Sequence, residues 1–308
     1  MEIPEHQLGF EKMFNTEDQC LHYVIDLRWP DDYECSRCKN KYYWIGSKKR
    51  IICTRCEFQT TAISGTIFEQ TNKPLVLWFR AIWWMISQKN GVSAIGLQKI
   101  LGLGSYKTAW TWLQKLRLLT VNPDRGKLIG EVEVDETFIG GKKEGKRGRG
   151  SEKKSLVVIA VEVLKKGTGR IRLQIVPSAS AKDLTQFITT RIELGSTIIT
   201  DGWTGYSRVS GKGYYHQIQS LKENGNEDQM LPNAHRVASL LKRWLLGTHQ
   251  NYVSPSRLQN YLEEFVFRYN RRKSNSRGLL FQRIMEQAVK HNPVKYEEIM
   301  SNSITGEK

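Results

Sequence analysis

Hydrophobic and polar positions change their period twice along the chain. Near the N-terminus Cys20, Tyr23, Val24 and Leu27 recur at helical spacing, and Thr16 followed by Gln19 has the form of a capping box that starts this helix. Residues 74–89 (PLVLWFRAIWWMISQK) read as a buried helix opened by Pro74. Residues 93–101 and 105–119 read as two more, split by Gly102-Leu103-Gly104. After Asn122-Pro123 the period becomes that of strands: VEVDETFIGG, LVVIAVEVL and RIRLQIV are short and rich in Val and Ile. A helix over Ala181–Glu193 follows, then the strand STIITDGW and a weaker one at His216–Ser220. The remainder returns to helix, clearest in HRVASLLKRWLL and SRLQNYLEEFVFRYNRR. Three strands, a helix, a strand and more helix predict a mixed α/β sheet with flanking helices, not a strict β-α-β-α winding.

The polar segment between the first two helical regions carries Cys35-Ser-Arg-Cys38 and Cys53-Thr-Arg-Cys56, separated by fourteen residues that include Tyr42, Tyr43, Trp44 and Ile45 as a hairpin strand. Each C-x2-C turn sets two thiolates on one side, and two such turns supply tetrahedral sulfur ligation for a structural Zn²⁺. Four sulfur ligands leave no open position for chemistry, and so small a ribbon needs its metal to fold. The fifth cysteine, Cys20, reads as a core residue.

In the run from Val92 to Trp110, Ser93 and Ser105 are N-cap candidates for a helix-turn-helix. Its apolar positions predict Ile95, Ile100, Leu101, Ala109 and Leu113 inside. Tyr106, Lys107, Thr108 and Thr111 then face out at the start of the second helix, the face that enters a DNA major groove.

Composition changes what these elements are for. The 308 residues carry 47 Lys+Arg against 31 Asp+Glu, a formal net charge of +16. With 39% hydrophobic residues and nine Trp this is no disordered polycation, so the surplus calls for a polyanionic partner. No apolar N-terminal signal and no stretch long enough for a bilayer is visible, which points to a cytoplasmic chain without a membrane partner. Asp135 lies among apolar residues in VEVDETFIGG, and Asp201 ends STIITDGW. Two acids on neighbouring strands form a cradle for Mg²⁺ or Mn²⁺; the same two residues also fit surface or capping aspartates. Glu131 and Glu133 share the face of Asp135, and Glu136 points the other way.

VDETFIGGK, the basic loop after it, TDGWTGY, HRVASLLKRWLLGTHQ and LEEFVFRYNRR together resemble the insertion-sequence transposases with an N-terminal zinc ribbon, part of the DDE transposase and integrase superfamily. The resemblance runs from about Phe14 to Val289. It implies a ribonuclease H-like core, binding of double-stranded DNA at the element's terminal inverted repeats, and a homo-oligomer on that DNA. It also implies strand cleavage by water and joining of the freed 3′-hydroxyl to target DNA, with Mg²⁺ as cofactor. Asp135 and Asp201 match the first two metal-binding acids. At the third position the family places Glu, Asn or His, and here the segment reads Asn233-Ala234-His235-Arg236 with no acid. His235 is the remaining candidate, with Lys242 seven residues later near the scissile phosphate; Asp228, Glu263 and Glu264 are fallbacks.

The loop GGKKEGKRGRG offers Lys142, Lys143, Lys146, Arg147 and Arg149 to phosphates, and Arg271 and Arg272 form a further basic patch. Trp203 and Tyr206 fit either base stacking or core packing. The expected organisation is an N-terminal helix and zinc ribbon at 1–70, a helix-turn-helix region at 71–122, a catalytic domain at 123–290 and a tail at 291–308. Two rivals remain open at this level: a zinc-ribbon and helix-turn-helix regulator, and a metal-dependent nuclease without strand transfer.

Overall fold

The computed structural model describes residues 3–122, 124–140, 154–219, 230–250 and 253–301. In chain order its elements are α1 (Gln7–Met13), α2 (Glu17–Arg28), β1 (Tyr43–Ile45), β2 (Arg50–Cys53), β3 (Gln59–Thr61), α3 (Leu75–Ser87), α4 (Ala94–Leu101), α5 (Tyr106–Leu118), β4 (Glu131–Gly140), β5 (Lys154–Val163) and β6 (Thr168–Val176). They continue with α6 (Ala181–Arg191), β7 (Thr197–Thr200), β8 (Tyr215–Ile218), α7 (Pro232–His249), α8 (Leu258–Asn270), α9 (Arg277–Lys290) and α10 (Tyr296–Ser301). The chain divides into two compact units, Met1–Thr120 with Ser274–Lys308, and Val121–Lys273. Among the described residues no helix is long and apolar enough to cross a membrane.

In the first unit, Thr16 and Gln19 form the expected capping box at the start of α2. Ser93 and Ser105 accept hydrogen bonds from the amides of Gly96 and Thr108, and Gly102 closes α4 at a left-handed φ of 61°. Ile95 and Ile100, expected inside, are 55% and 54% exposed. The stripe that α4 buries runs through Ala94 and Leu97 to half-buried Leu101, a spacing of three and four residues, and the two isoleucines fall on either side of it.

The boundary expected at residue 290 also shifts. Helix α9 packs with α2 and α3, because Phe281 is fully buried among Phe10, Phe14, Tyr23, Phe79 and Trp83. Ribbon, helix-turn-helix and C-terminal helices therefore belong to one unit, and the α/β unit ends at Lys273.

The second unit is a five-stranded sheet in the order β6-β5-β4-β7-β8. β4, β5 and β6 form an antiparallel meander; β7 then joins β4 in parallel, and β8 joins β7 in parallel. This is the ribonuclease H-like arrangement. Helices cover both faces: Leu184, Phe187 and Ile188 of α6 pack on Val132, Val134, Val158 and Ala160. Val237, Leu241, Leu262 and Phe265 of α7 and α8 pack on Ile159, Val161, Ile171 and Leu173. The interior strand β5, covered on both faces, is consequently apolar at successive positions, with Val157 through Val161 fully buried.

At the outer edge of β6, side chains of α8 stand in for a missing strand. Asn270 accepts from the Ile171 amide and donates to the Ile171 carbonyl, and Gln259 does the same for the Ile175 amide and the Leu173 carbonyl. If α9 belongs to the first unit, Phe281→Ala costs that unit about 3–5 kcal/mol. Amide hydrogen exchange should then quicken in α2 and α3 and stay unchanged in β4–β7; the reverse pattern would return α9 to the α/β unit.

Candidate active site and metal centres

Asp135 sits mid-strand in β4, and Asp201 immediately follows β7. The parallel register pairs Val132 with Ile198 and Glu133 with Ile199, so two more residues along each strand bring Asp135 and Asp201 level. The chain turns sharply at this point. The Trp203 amide donates to Asp201 Oδ1 at 3.0 Å, and Gly202 takes a φ of 82°, with its absent Cβ directed to 2.8 Å from Ile218. Thr200, fully buried, bonds His216 Nε2 at 2.9 Å and accepts from the Gly202 amide, which secures the base of the turn.

The third participant arrives on α7, which packs over β4 and β5. His235 Nε2 stands 3.5 Å from Asp135 Oδ2. Lys242, exposed on α7, lies close enough to act electrostatically on Asp135. Burial pushes the Asp135 carboxyl above its usual range and Asp201 adds to the shift, while the Glu136 amide, His235 and Lys242 oppose it. Glu136 points to the other face, where burial and the carboxylates of Glu136, Asp135 and Asp201 push the Tyr206 hydroxyl up. Tyr206 is fully buried and thus a core residue; Trp203 packs against that core with its indole N–H on the Ala179 carbonyl at 3.0 Å.

One residue here escaped the sequence reading. Glu133 is only 3% exposed and accepts from the amides of Asn233 and Ala234, each at 2.8 Å, and from Asn233 Nδ2 at 2.7 Å. The signal available was negative: Leu231 precedes α7 where a Ser, Thr, Asp or Asn would be expected.

The buried acids divide by how they are answered. Glu133 has its three N–H donors, Glu162 has Arg170 at 2.6 Å, Glu263 has Arg125 at 2.9 Å, and Glu264 has Arg268 at 2.8 Å. The last two are the fallback ligands, and both are committed to ion pairs. Asp135, half-buried, has the Glu136 amide and the more distant imidazole, with a second carboxylate beside it. Such a pair of oxygen donors fits a divalent cation, which would remove the repulsion.

The ribbon is a closed centre. The thiolates of Cys35, Cys38, Cys53 and Cys56 lie within 4.8 Å of one another. Two Sγ–Sγ separations are 3.7 and 3.6 Å, near the roughly 3.8 Å edge of a tetrahedron with about 2.3 Å Zn–S bonds. The knuckles repeat each other: Lys39 and Glu57 both take left-handed φ and donate to the carbonyls of Cys35 and Cys53. Asn40 joins them, donating to Cys53 Sγ at 3.5 Å and to Thr54 Oγ1 at 2.9 Å. Among the described residues these cysteines are the one group of three or more ligating side chains gathered so closely. Asp135, Asp201 and His235 are neighbours, not a closed shell.

The residues expected to meet DNA fall into three groups. Tyr106 is 52% exposed on α5; Lys107 places its ammonium 3.8 Å from the centre of the Tyr296 ring. Thr108 lies against the Ser105 cap, and Thr111 donates to the Lys107 carbonyl at 2.7 Å. Arg271 stacks over Phe267 at 4.2 Å; Arg272 stacks over Tyr269 at 4.1 Å and donates to Thr168 Oγ1 at 2.9 Å, tying the end of α8 to the start of β6. Lys142, Lys143, Lys146, Arg147, Arg149 and Asp228 lie outside the described residues.

Comparison with known proteins converges on one family. The sequence model of the ISXO2-like transposase domain matches residues 127–270, and that of the transposase zinc-ribbon domain matches residues 15–59. The chain is an insertion-sequence transposase of the DDE superfamily with an N-terminal zinc ribbon. This transposase is 24% identical over 277 residues to an uncharacterized protein in transposable element ISH50 of Halobacterium salinarum, spanning 83% of this chain and 92% of that protein. Among solved structures, the catalytic core domain of BIV integrase aligns at 14% identity over 46% of this chain and 84% of its own, with a TM-score of 0.33. The Mos1 strand transfer complex aligns at 12% identity over 78% of this chain and 82% of its own, with a TM-score of 0.30. At those scores the fold assignment rests on strand order and family membership. The transposase is accordingly an enzyme whose chemistry depends on a divalent metal, and its Cys₄ cluster is that of a zinc ribbon.

Zinc bound by these four thiolates would link the two knuckles of so small a domain. Cys53→Ser, or chelation of the wild-type protein, should release zinc and abolish exchange protection at the Cys35, Cys53 and Thr54 amides without affecting β4–β7. Protection that survives zinc loss would show that the hairpin folds without metal.

Proposed function

We propose that the transposase binds the terminal inverted repeats of its element and catalyses both strand cleavage and strand transfer at one site made by Asp135, Asp201 and His235. The observation that carries this is the level placement of Asp135 and Asp201 by the β4–β7 register, with His235 brought to 3.5 Å from Asp135 by α7. Mg²⁺, or Mn²⁺ in its place, is the cation that suits two carboxylates and an imidazole; imidazole is the softer ligand and widens tolerance towards Mn²⁺. When bound, that cation supplies the Lewis-acid charge that phosphodiester chemistry needs.

The chain's own groups hold and orient. Asp135 and Asp201 fix the cation from adjacent strands, His235 closes the set from the helix, and Lys242 neutralises a phosphate oxygen next to the scissile bond. In cleavage, water oxygen bonds to phosphorus and the 3′-oxygen of the element strand leaves. In transfer, that 3′-hydroxyl attacks a target phosphodiester and displaces the target's own 3′-oxygen. Both steps are in-line displacements, so one site serves for both.

Binding is spread over several basic surfaces. Tyr106, Lys107, Thr108 and Thr111 of α5 read an end in the major groove. The ribbon, the loop with Lys142, Lys143, Lys146, Arg147 and Arg149, and the patch with Arg271 and Arg272 neutralise phosphates. Two ends must be held together for transfer, which calls for a homo-oligomer on DNA.

Asp135→Ala should abolish cleavage and joining of labelled inverted-repeat ends in both Mg²⁺ and Mn²⁺ while gel-shift binding of those ends persists. Retained cleavage would remove Asp135 from the site. Cleavage without joining by the wild type would make the protein a nuclease. Lys242→Ala should weaken end binding and lower the slope of log K against log salt by about 1, the signature of one lost phosphate contact. An unchanged slope would place Lys242 off the DNA.

A further inference from the structure

Every amide donor at the start of α7 can be traced. Leu231 is the N-cap residue, takes a left-handed φ of 47° and offers no side-chain hydrogen bond. Pro232 has no N–H. The amides of Asn233 and Ala234 both donate to Glu133 Oε2 at 2.8 Å, and the His235 amide is the first to make an intrahelical bond, to the Leu231 carbonyl at 3.0 Å. The two donors that would otherwise be orphaned are thus satisfied by a residue about a hundred positions earlier in the chain.

We infer that Glu133 is a positioning residue for His235, the cap that α7 lacks, and that it ties the helix bearing the third metal ligand to the strand bearing the first. The inference rests on Asp135, Asp201 and His235 being the divalent-cation site. Glu133 lies two residues before Asp135 on the same face of β4, and His235 begins one residue beyond the amides that Glu133 holds. The linkage from one ligand to the other is therefore short, and its middle is a buried carboxylate at a helix N-terminus, where the partial positive charge of the helix end favours an anion. Glu133 is not itself a ligand: Oε2 takes two backbone amides and Oε1 takes Asn233 Nδ2 at 2.7 Å, with the side chain sealed from solvent. Partners one shell out from a metal commonly tune its affinity by about 10–100-fold.

The test is an Mn²⁺ titration, read by electron paramagnetic resonance, of the full-length zinc-loaded protein carrying Asp135→Ala, Glu133→Ala, Glu133→Gln or Arg125→Ala. Asp135→Ala should lose the site. Glu133→Ala should weaken Mn²⁺ binding about 10-fold or more, because His235 is no longer held. Glu133→Gln should stay within about threefold of wild type: its carbonyl oxygen can accept both backbone amides, and Asn233 can turn its amide to accept from the new NH₂. Arg125→Ala breaks the buried pair with Glu263 and should lower the melting temperature while leaving Mn²⁺ affinity intact. Wild-type affinity in Glu133→Ala alongside a dead Asp135→Ala overturns the positioning role alone. A loss in Glu133→Gln equal to that in Glu133→Ala overturns it in favour of direct ligation. An equal loss in Arg125→Ala reduces it to general destabilisation. Undiminished binding in Asp135→Ala overturns the metal-site reading and this inference with it.

Discussion

The parallel pairing of β4 with β7 is the contact on which the catalytic unit depends. It brings two aspartates, 66 positions apart, to the same level of one sheet. The geometry is held from several sides: β5 flanks β4 along its length, β8 flanks β7, and α6 covers the junction on one face. Parallel strands need a crossover, and α6, which completes one hydrophobic layer, lies on it between β6 and β7.

Against that frame of satisfied groups, Asp135 is an exception. The buried glutamates of this unit each meet an arginine or a set of N–H donors at hydrogen-bonding distance, and Arg170 and backbone amides outweigh burial to hold the Glu162 carboxyl below its usual range. Asp135 is pushed the other way, by burial first and by Asp201, against the Glu136 amide, His235 and Lys242. Asp135 and Asp201 accept from the Glu136 and Trp203 amides but meet no arginine, and they form the pair proposed to take the cation.

Much of this was legible in the sequence because it depends on local spacing. The cysteine knuckles, the capping box of Thr16 and Gln19, the serine caps of α4 and α5, and the strands around Asp135 and Asp201 are all written within a few residues. What could not be read depends on partners distant in the chain. Nothing near Ile95 or Ile100 says which side of an eight-residue helix meets its neighbours, and both turned out exposed. Phe281 looks like any helical core position, and only its five aromatic neighbours assign α9 to the N-terminal unit. Glu133 looked like one more acid on an alternating strand, since its partners Asn233 and Ala234 lie in another element altogether. The identification of His235 came from family resemblance; the structure adds its distance from Asp135.

The central claim is that Asp135, Asp201 and His235 hold one divalent cation. Crystals grown with MnCl₂ and measured at the manganese absorption edge test it most directly. The account predicts an anomalous peak within bonding distance of carboxylate oxygens of both aspartates and of an imidazole nitrogen of His235, distinct from zinc at the four cysteines. A manganese peak elsewhere in the Val121–Lys273 unit, or none there while zinc is seen in the ribbon, would contradict it.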